Sequence, residues 1–346
     1  MSSPEMPPAR TLILGGAGFV GVNVADALRL AGHDVAVTHR GQAPPFYLRN
    51  RVDEWLRVDL ADVDALREAM RGRDVVFHAA GHYPRYSLDL DAAVATGLAE
   101  MRNVLGAARS VGVRRVVYTS SIAVLERGDG APATDEDVGF APPSESAYRA
   151  VKWHMERAVR HARRAGLDVV TLRPGGCLGP WDLRAGTGAL VVAVVREALP
   201  WRVDGLVHMV DVRDVARAHA AAIWAPAGRS YNLPGHTVGV GALLERVASR
   251  FGGAAPRLVL APDEARARAD ADERAAAPRR ERVPLPREMV DIALSGVAVS
   301  DDLARRELGF DPRPLDDALD ASVAWFRRTG HLPEAPHPTP PQEDTP

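Results

Sequence analysis

Tyr148 and Lys152 stand four residues apart in the segment Ser146-Ala-Tyr-Arg-Ala-Val-Lys152, a spacing that places both on one face of a helix, one turn apart. Hydride transfer at a carbinol carbon needs a group that gives or takes the hydroxyl proton at the same moment. A free tyrosine, with a pKa of about 10, is a poor base at neutral pH, and a nearby ammonium brings that value down by stabilising the phenolate. Ser121, at the end of an apolar strand in Thr119-Ser-Ser-Ile-Ala-Val124, could hold the substrate oxygen by a hydrogen bond. Lys152 is the chain's one lysine; the other 42 of its 43 basic residues are arginine. Six tyrosines and one lysine meet at this spacing by chance in roughly 2 % of arrangements. A position that keeps lysine where arginine serves everywhere else needs a compact, titratable ammonium rather than charge alone.

The elements that would carry these groups follow from hydrophobic periodicity. Short apolar runs (Thr11–Leu14, Asp34–Thr38, Asp74–His78, Arg115–Thr119, Asp168–Leu172) alternate with amphipathic stretches near 19–31, up to 111, and 146–165. This is the signature of an α/β fold with a doubly wound parallel sheet. Directly after the first strand comes Gly15-Gly-Ala-Gly18-Phe-Val-Gly21. There Gly15 permits a tight turn, Gly18 lets the backbone approach a pyrophosphate, and Gly21 allows close helix–strand packing, with the phosphates at the helix N-terminus. A dinucleotide site is therefore expected, with Phe19 and Val20 among its contacts. The second half is less regular, with a helix near 240–251 and an Ala/Arg/Asp-rich stretch at 263–282 readable as a solvated helix or a mobile segment.

The chain has 346 residues and a net charge of −2. That balance gives no basic excess for nucleic acid or anionic lipid. One cysteine, Cys177, excludes an internal disulfide framework and a multi-cysteine metal site. With no signal-peptide core and no long apolar run, a cytoplasmic protein without metal, membrane or nucleic-acid partners is expected.

The glycine spacing G-x-x-G-x-x-G resembles the extended short-chain dehydrogenase/reductase family, and the likeness continues in order along nearly the whole chain. It runs through Asp59-Leu60, His78-Ala-Ala-Gly81, Thr119-Ser-Ser121, Tyr148-x-x-x-Lys152, Arg173-Pro-Gly175, His208-Met-Val-Asp-Val-Arg-Asp-Val215 and Ala304-Arg-Arg-Glu-Leu-Gly-Phe310 with Trp325-Phe326. The resemblance implies a Rossmann domain over 9–175 that also receives about 207–235, a substrate-binding lobe from 176–206 and 236–332, and a Pro-rich disordered tail at 333–346. It implies a Ser121-Tyr148-Lys152 triad, and cofactor contacts from Asp59 and Leu60 at the adenine, Ala79, Ala80 and Gly81 after the fourth strand, and Pro174 and Gly175. It implies a homodimer paired through about Ala92–Val111 and Ser146–Ala165, where Val104, Leu105, Val151 and Met155 are apolar beyond a single stripe. Two positions depart from the pattern. Gly97 stands where the family often has a proton-relay Asn, and Val151 where Ser is common.

An acid ending the second strand would hold the ribose of NAD, whereas an arginine there accommodates the 2′-phosphate of NADP. The strand ends Thr38-His39-Arg40, without an acid, so NADP(H) is the expected cofactor with Arg40 at its phosphate. Nucleotide-sugar epimerases usually place an arginine just before the segment corresponding to His208 to grip a diphosphate; here the residues are Gly205-Leu-Val-His208. Tyr83, Cys177, Trp181 and Trp201 could line an apolar pocket for a small-molecule substrate. The balance favours an oxidoreductase similar to dihydroflavonol-reductase-like and 3β-hydroxysteroid-dehydrogenase-like members. Gly179-Pro-Trp-Asp182 with Thr187-Gly188 is similar to the hopanoid-associated sugar epimerase group, which keeps an epimerase or dehydratase open. A dinucleotide-binding sensor without catalysis is the third reading.

Overall fold

The computed structural model describes residues 7–334, apart from 42, 44, 49, 144 and 145. Seven parallel strands form the central sheet in the order β3-β2-β1-β4-β5-β6-β9. They are β1 (Arg10–Leu14), β2 (Asp34–His39), β3 (Glu54–Arg57), β4 (Val75–His78), β5 (Arg115–Thr119), β6 (Val169–Pro174) and β9 (Ser230–Leu233). A second sheet, ordered β10-β8-β7, is built from β7 (Gly176–Leu178), β8 (Leu206–Asp211) and β10 (His236–Gly239). The Val-, Ile- and Leu-rich runs of β1, β4 and β5 are buried residue after residue, as expected of parallel strands covered on both faces.

The helices are α1 (Phe19–Leu30), α2 (Val63–Met70), α3 (Leu90–Ser110), α4 (Ala147–Arg164), α5 (Ala189–Val195), α6 (Val212–Ala221), α7 (Val240–Phe251), α8 (Pro262–Ala276), α9 (Arg287–Ser295), α10 (Asp302–Leu308) and α11 (Leu315–Arg328). Among the described residues, no helix is long and apolar enough to cross a membrane. One face of the large sheet packs on α1 and α6 and the other on α2, α3 and α4, giving two separate cores. A third core joins α5, α7, α8, α9 and α11 to the small sheet. The chain leaves β1 toward one edge and returns at β4 beside it. The crevice at the C-terminal ends of β1 and β4 is therefore the topological switch point where such sheets bind ligands.

Three segments bear on the expectations. The returning segment 207–235 divides, because β8 pairs with β7 and β10 while α6 and β9 join the large sheet. The stretch 263–282 is helical through α8, and Glu273 ties it down. The Glu273 carboxylate accepts the backbone N–H of Ser87 at 2.6 Å and of Arg287 at 2.9 Å. Val104, Leu105, Val151 and Met155 are buried in the molecule's own core, so they offer nothing to a second copy. Residues 335–346 of the expected tail lie outside the described residues.

Candidate active site

The glycine turn is closed by its own backbone. Gly18 N–H donates to Gly15 O at 2.9 Å, and Gly15 N–H donates to Thr38 Oγ1 at 3.2 Å. Gly15 has φ +83°, and a Cβ there would lie 2.8 Å from Ala80, so the turn and the residues after β4 touch directly. A Cβ on Gly21 would sit 2.3 Å from Gly15 O, which is the close packing expected of that position. Gly18 caps α1 without a side chain, and no acid occupies the first turn, leaving the N–H groups of Phe19 and Val20 for an anion. This open cradle fits the pyrophosphate of a dinucleotide. Ala79 and Ala80 border it half-buried, Gly81 is exposed against Met155, Pro174 ends β6 and Gly175 follows it.

At the far end of the groove Arg40 is exposed just past β2. Asp59 is exposed too, with its carboxylate accepting Ala61 N–H at 2.9 Å, while Leu60 is buried and its carbonyl accepts from Asn103 at 2.9 Å. Both Arg40 and Asp59 act electrostatically on Glu100 of α3. Its carboxyl is pushed up by burial, and no local pattern marks it as facing this spot.

Ser146 caps α4, its hydroxyl accepting the N–H of Arg149. The cap sets Tyr148 in the first turn, and Ser121 lies close enough to its phenol to act on the phenol's titration. Lys152 Nζ donates to Thr119 O at 3.0 Å and lies 5.9 Å from the centre of the Tyr148 ring. Thr119 is itself held by His219, whose Nε2 is 2.8 Å from Thr119 Oγ1 while its Nδ1 is 2.7 Å from Val215 O. The three residues expected to act together are brought together. Their titration differs from the expectation. Burial raises the Tyr148 phenol above its ordinary value, Glu288 raises it further, and nearby Ser121 opposes them. Burial pushes Lys152 down to about 8, against the pull of Glu156 and Glu288. One N–H of the ammonium goes to a backbone carbonyl, and with burial raising the phenol the lysine alone does not deliver an acidic one.

Of the residues expected to line a pocket, Tyr83 stands beside Tyr148, the ring centres 4.9 Å apart. Cys177 is buried and within electrostatic reach of Tyr148, its thiol pushed up to about 12 by burial and by Asp182 and Asp211. Trp201 is core. Trp181 packs elsewhere, between Tyr47 and Trp325 with the Arg51 guanidinium 4.3 Å over its ring. Tyr47 in turn donates to Ala17 O in the glycine turn at 3.0 Å. A left-handed backbone at Trp181 (φ 75°) accompanies that placement. Glu288 of α9 was not foreseen; both its carboxylate oxygens accept from the Tyr83 hydroxyl at 2.8 Å.

The two departures from the family pattern explain each other. A Cβ on Gly97 would lie 2.7 Å from Cγ1 of Val151, so the valine occupies the room an asparagine would need. Gly97→Asn is expected to lower stability by about 1–3 kcal/mol through overpacking. Gly97→Asn with Val151→Ser should recover most of it, a non-additivity read from urea unfolding midpoints.

Comparison with protein families matches residues 11–233 to the NAD dependent epimerase/dehydratase family. A protein of Synechocystis sp. carrying the provisional name dihydroflavonol 4-reductase is 30% identical over 92% of this chain and 95% of its own. The 4-hydroxy-2-methyl-3-oxo-4-farnesyl-3,4-dihydroquinoline-1-oxide ketoreductase of Stigmatella aurantiaca is 30% identical over 88% of this chain and 92% of its own. Among solved structures, PA4631, a nucleoside-diphosphate-sugar epimerase from Pseudomonas aeruginosa, superposes with a TM-score of 0.77 at 27% identity, covering 94% of this chain and 99% of its own.

Proposed function

The chain belongs to the NAD dependent epimerase/dehydratase family, and on that premise we propose that it is an NADP-dependent oxidoreductase interconverting a hydroxyl and a carbonyl on a small organic substrate. The observation that carries this reading is the Tyr148 phenol, beside Ser121 and one helical turn from Lys152. The dinucleotide, when bound, supplies or accepts the hydride. In the reducing direction Tyr148 gives its proton to the carbonyl oxygen, and a phenol held above its ordinary pKa keeps that proton available at neutral pH. Ser121 orients the same oxygen and then stabilises the phenolate. Lys152, fixed by Thr119 O, offers its remaining N–H donors to the cofactor ribose and its charge to the phenolate.

Nucleotide-sugar epimerisation would need a grip on a diphosphate. None of Gly205, Leu206 and Val207 is an arginine, and a Cβ at position 205 would lie 2.1 Å from Ala293 O. Support for net oxidoreduction also comes from the two curated relatives, which carry reductase names. The test is substrate-dependent change in absorbance at 340 nm across a panel of ketones. Sugar-nucleotide interconversion with no net change in cofactor would replace this reading by epimerisation.

Support for NADP comes from Arg40, exposed past β2 with no acid at the strand's end. Arg40→Asp is expected to weaken NADPH binding by about tenfold or more, the scale of one charge-assisted hydrogen bond, and to favour NADH. Equal affinity of the unaltered protein for both cofactors, by fluorescence titration, would remove the assignment.

A further inference from the structure

Tyr83 and Glu288 form a bridge across the mouth of the site, and its chemistry bears on what enters. Tyr83 follows β4 on the cofactor side; Glu288 opens α9 on the opposite lobe. The Tyr83 hydroxyl donates to both oxygens of Glu288 at 2.8 Å, while its ring lies 4.9 Å from that of Tyr148. Tyr83 is nonetheless 62% exposed, so solvent reaches it. Lys152 is the cation that acts on Glu288, and it already donates to Thr119 O. Glu273 of α8 adds a second carboxylate facing Glu288, and Asp182 adds one facing Tyr83. A carboxylate so placed, with a tyrosine hydroxyl as its hydrogen-bond donor, must either keep that donor or exchange it for another when substrate arrives, since an unpaired enclosed charge is costly.

Resting on the oxidoreductase reading, we infer that Glu288 selects the substrate: it accepts a hydrogen bond from a hydroxyl or ammonium group carried near the reacting carbonyl, and it rejects carbonyl compounds bearing an anion there. A site built to hydrogen-bond a substrate donor discriminates strongly against an analogue lacking it, and a like charge adds active rejection. Burial pushes the Glu288 carboxyl up to about 7, against the Tyr83 hydrogen bond and Lys152 and with Glu273. The rejection is therefore full above neutrality and weakens as Glu288 takes up its proton below it.

The experiment uses three cyclohexanones carrying at carbon 3 a hydroxymethyl, a methyl ester or a carboxylate. NADPH oxidation is followed at 340 nm, and binding to the NADPH-loaded protein by calorimetry. At pH 7.5 the unaltered protein is expected to favour the hydroxymethyl compound over the carboxylate by at least ~30-fold, and by less at pH 6. Glu288→Gln should compress the ratio to below about fivefold. Tyr83→Phe, which frees the carboxylate of its internal donor, should widen it. An unchanged ratio in both variants, with NADPH still consumed, overturns the inference and leaves the oxidoreductase reading standing. A ratio of binding constants that shifts as stated, with no NADPH consumed by any compound, supports the selection and removes the redox reading. Failure of all three compounds to bind overturns the inference.

Discussion

Replacing Lys152 by arginine is expected to reduce turnover by at least ~100-fold, the scale of losing one positioned acid–base partner. Every other basic position in this chain is already arginine, so the substitution asks whether position 152 needs charge or lysine. The ammonium sits 3.0 Å from Thr119 O, under the Tyr118 ring at 5.4 Å and beside the Tyr148 ring at 5.9 Å. A planar guanidinium has no compact donor to place there and would displace either the phenol or the cofactor. The pH–rate profile gives an independent reading. Burial lowers Lys152 to about 8, so the unaltered enzyme should lose activity as pH rises through that value and the ammonium loses its proton. Arginine stays charged across this range, so that alkaline limb should be absent from whatever activity remains. An active Lys152→Arg enzyme with the same limb would mean that Lys152 does not act on the reacting phenol.

The features legible in the sequence are those written within one turn or one strand–helix junction. The glycine turn, the Tyr148-x-x-x-Lys152 face and the βα alternation each depend on residues that are neighbours in the chain, so spacing alone carries them. Glu288 was invisible because nothing local marks it: α9 brings it to Tyr83 only through packing of the C-terminal lobe. The stretch 263–282 reads as a solvated helix or a mobile segment because the buried face of α8 consists of Ala265, Ala269, Glu273 and Ala276, small or charged side chains that carry almost no hydrophobic signal. Val104 and Leu105 on α3 and Val151 and Met155 on α4 looked like surplus apolar surface. The two helices pack on each other as well as on the sheet, which consumes an apolar face wider than one stripe. Trp181 reads as substrate-lining from its aromatic type alone; its left-handed backbone accompanies packing against Tyr47, whose hydroxyl donates to the glycine turn.

Glu156 stands one further turn along the face that carries Tyr148 and Lys152, and its loss should be the largest single stability effect. It pairs with Arg173 through two hydrogen bonds of 2.7 and 2.8 Å, the side chains being 3% and 2% exposed. Arg173 also donates to Asp135 O at 2.8 Å, so the pair ties α4 to β6 and to the loop beyond β5. Glu156→Gln leaves the guanidinium buried without its counter-charge and is expected to cost about 3–5 kcal/mol, a large part of the stability of an ordinary domain. The check is the urea midpoint. Burial raises the Glu156 carboxyl, but the charge and hydrogen bonds of Arg173 outweigh it and hold the group below its ordinary value. The stabilisation is therefore complete above the ordinary carboxylate range and is lost as pH falls through the lower, folded value, a dependence the glutamine variant should lack. Replacing both partners with apolar residues, Glu156→Leu with Arg173→Met, should recover most of the stability. It should not recover the chemistry, because Glu156 is the first of the two carboxylates that hold Lys152 in its charged form. In the folded double variant the alkaline limb of activity should move below pH 8, separating what the ion pair does for the fold from what it does for the lysine.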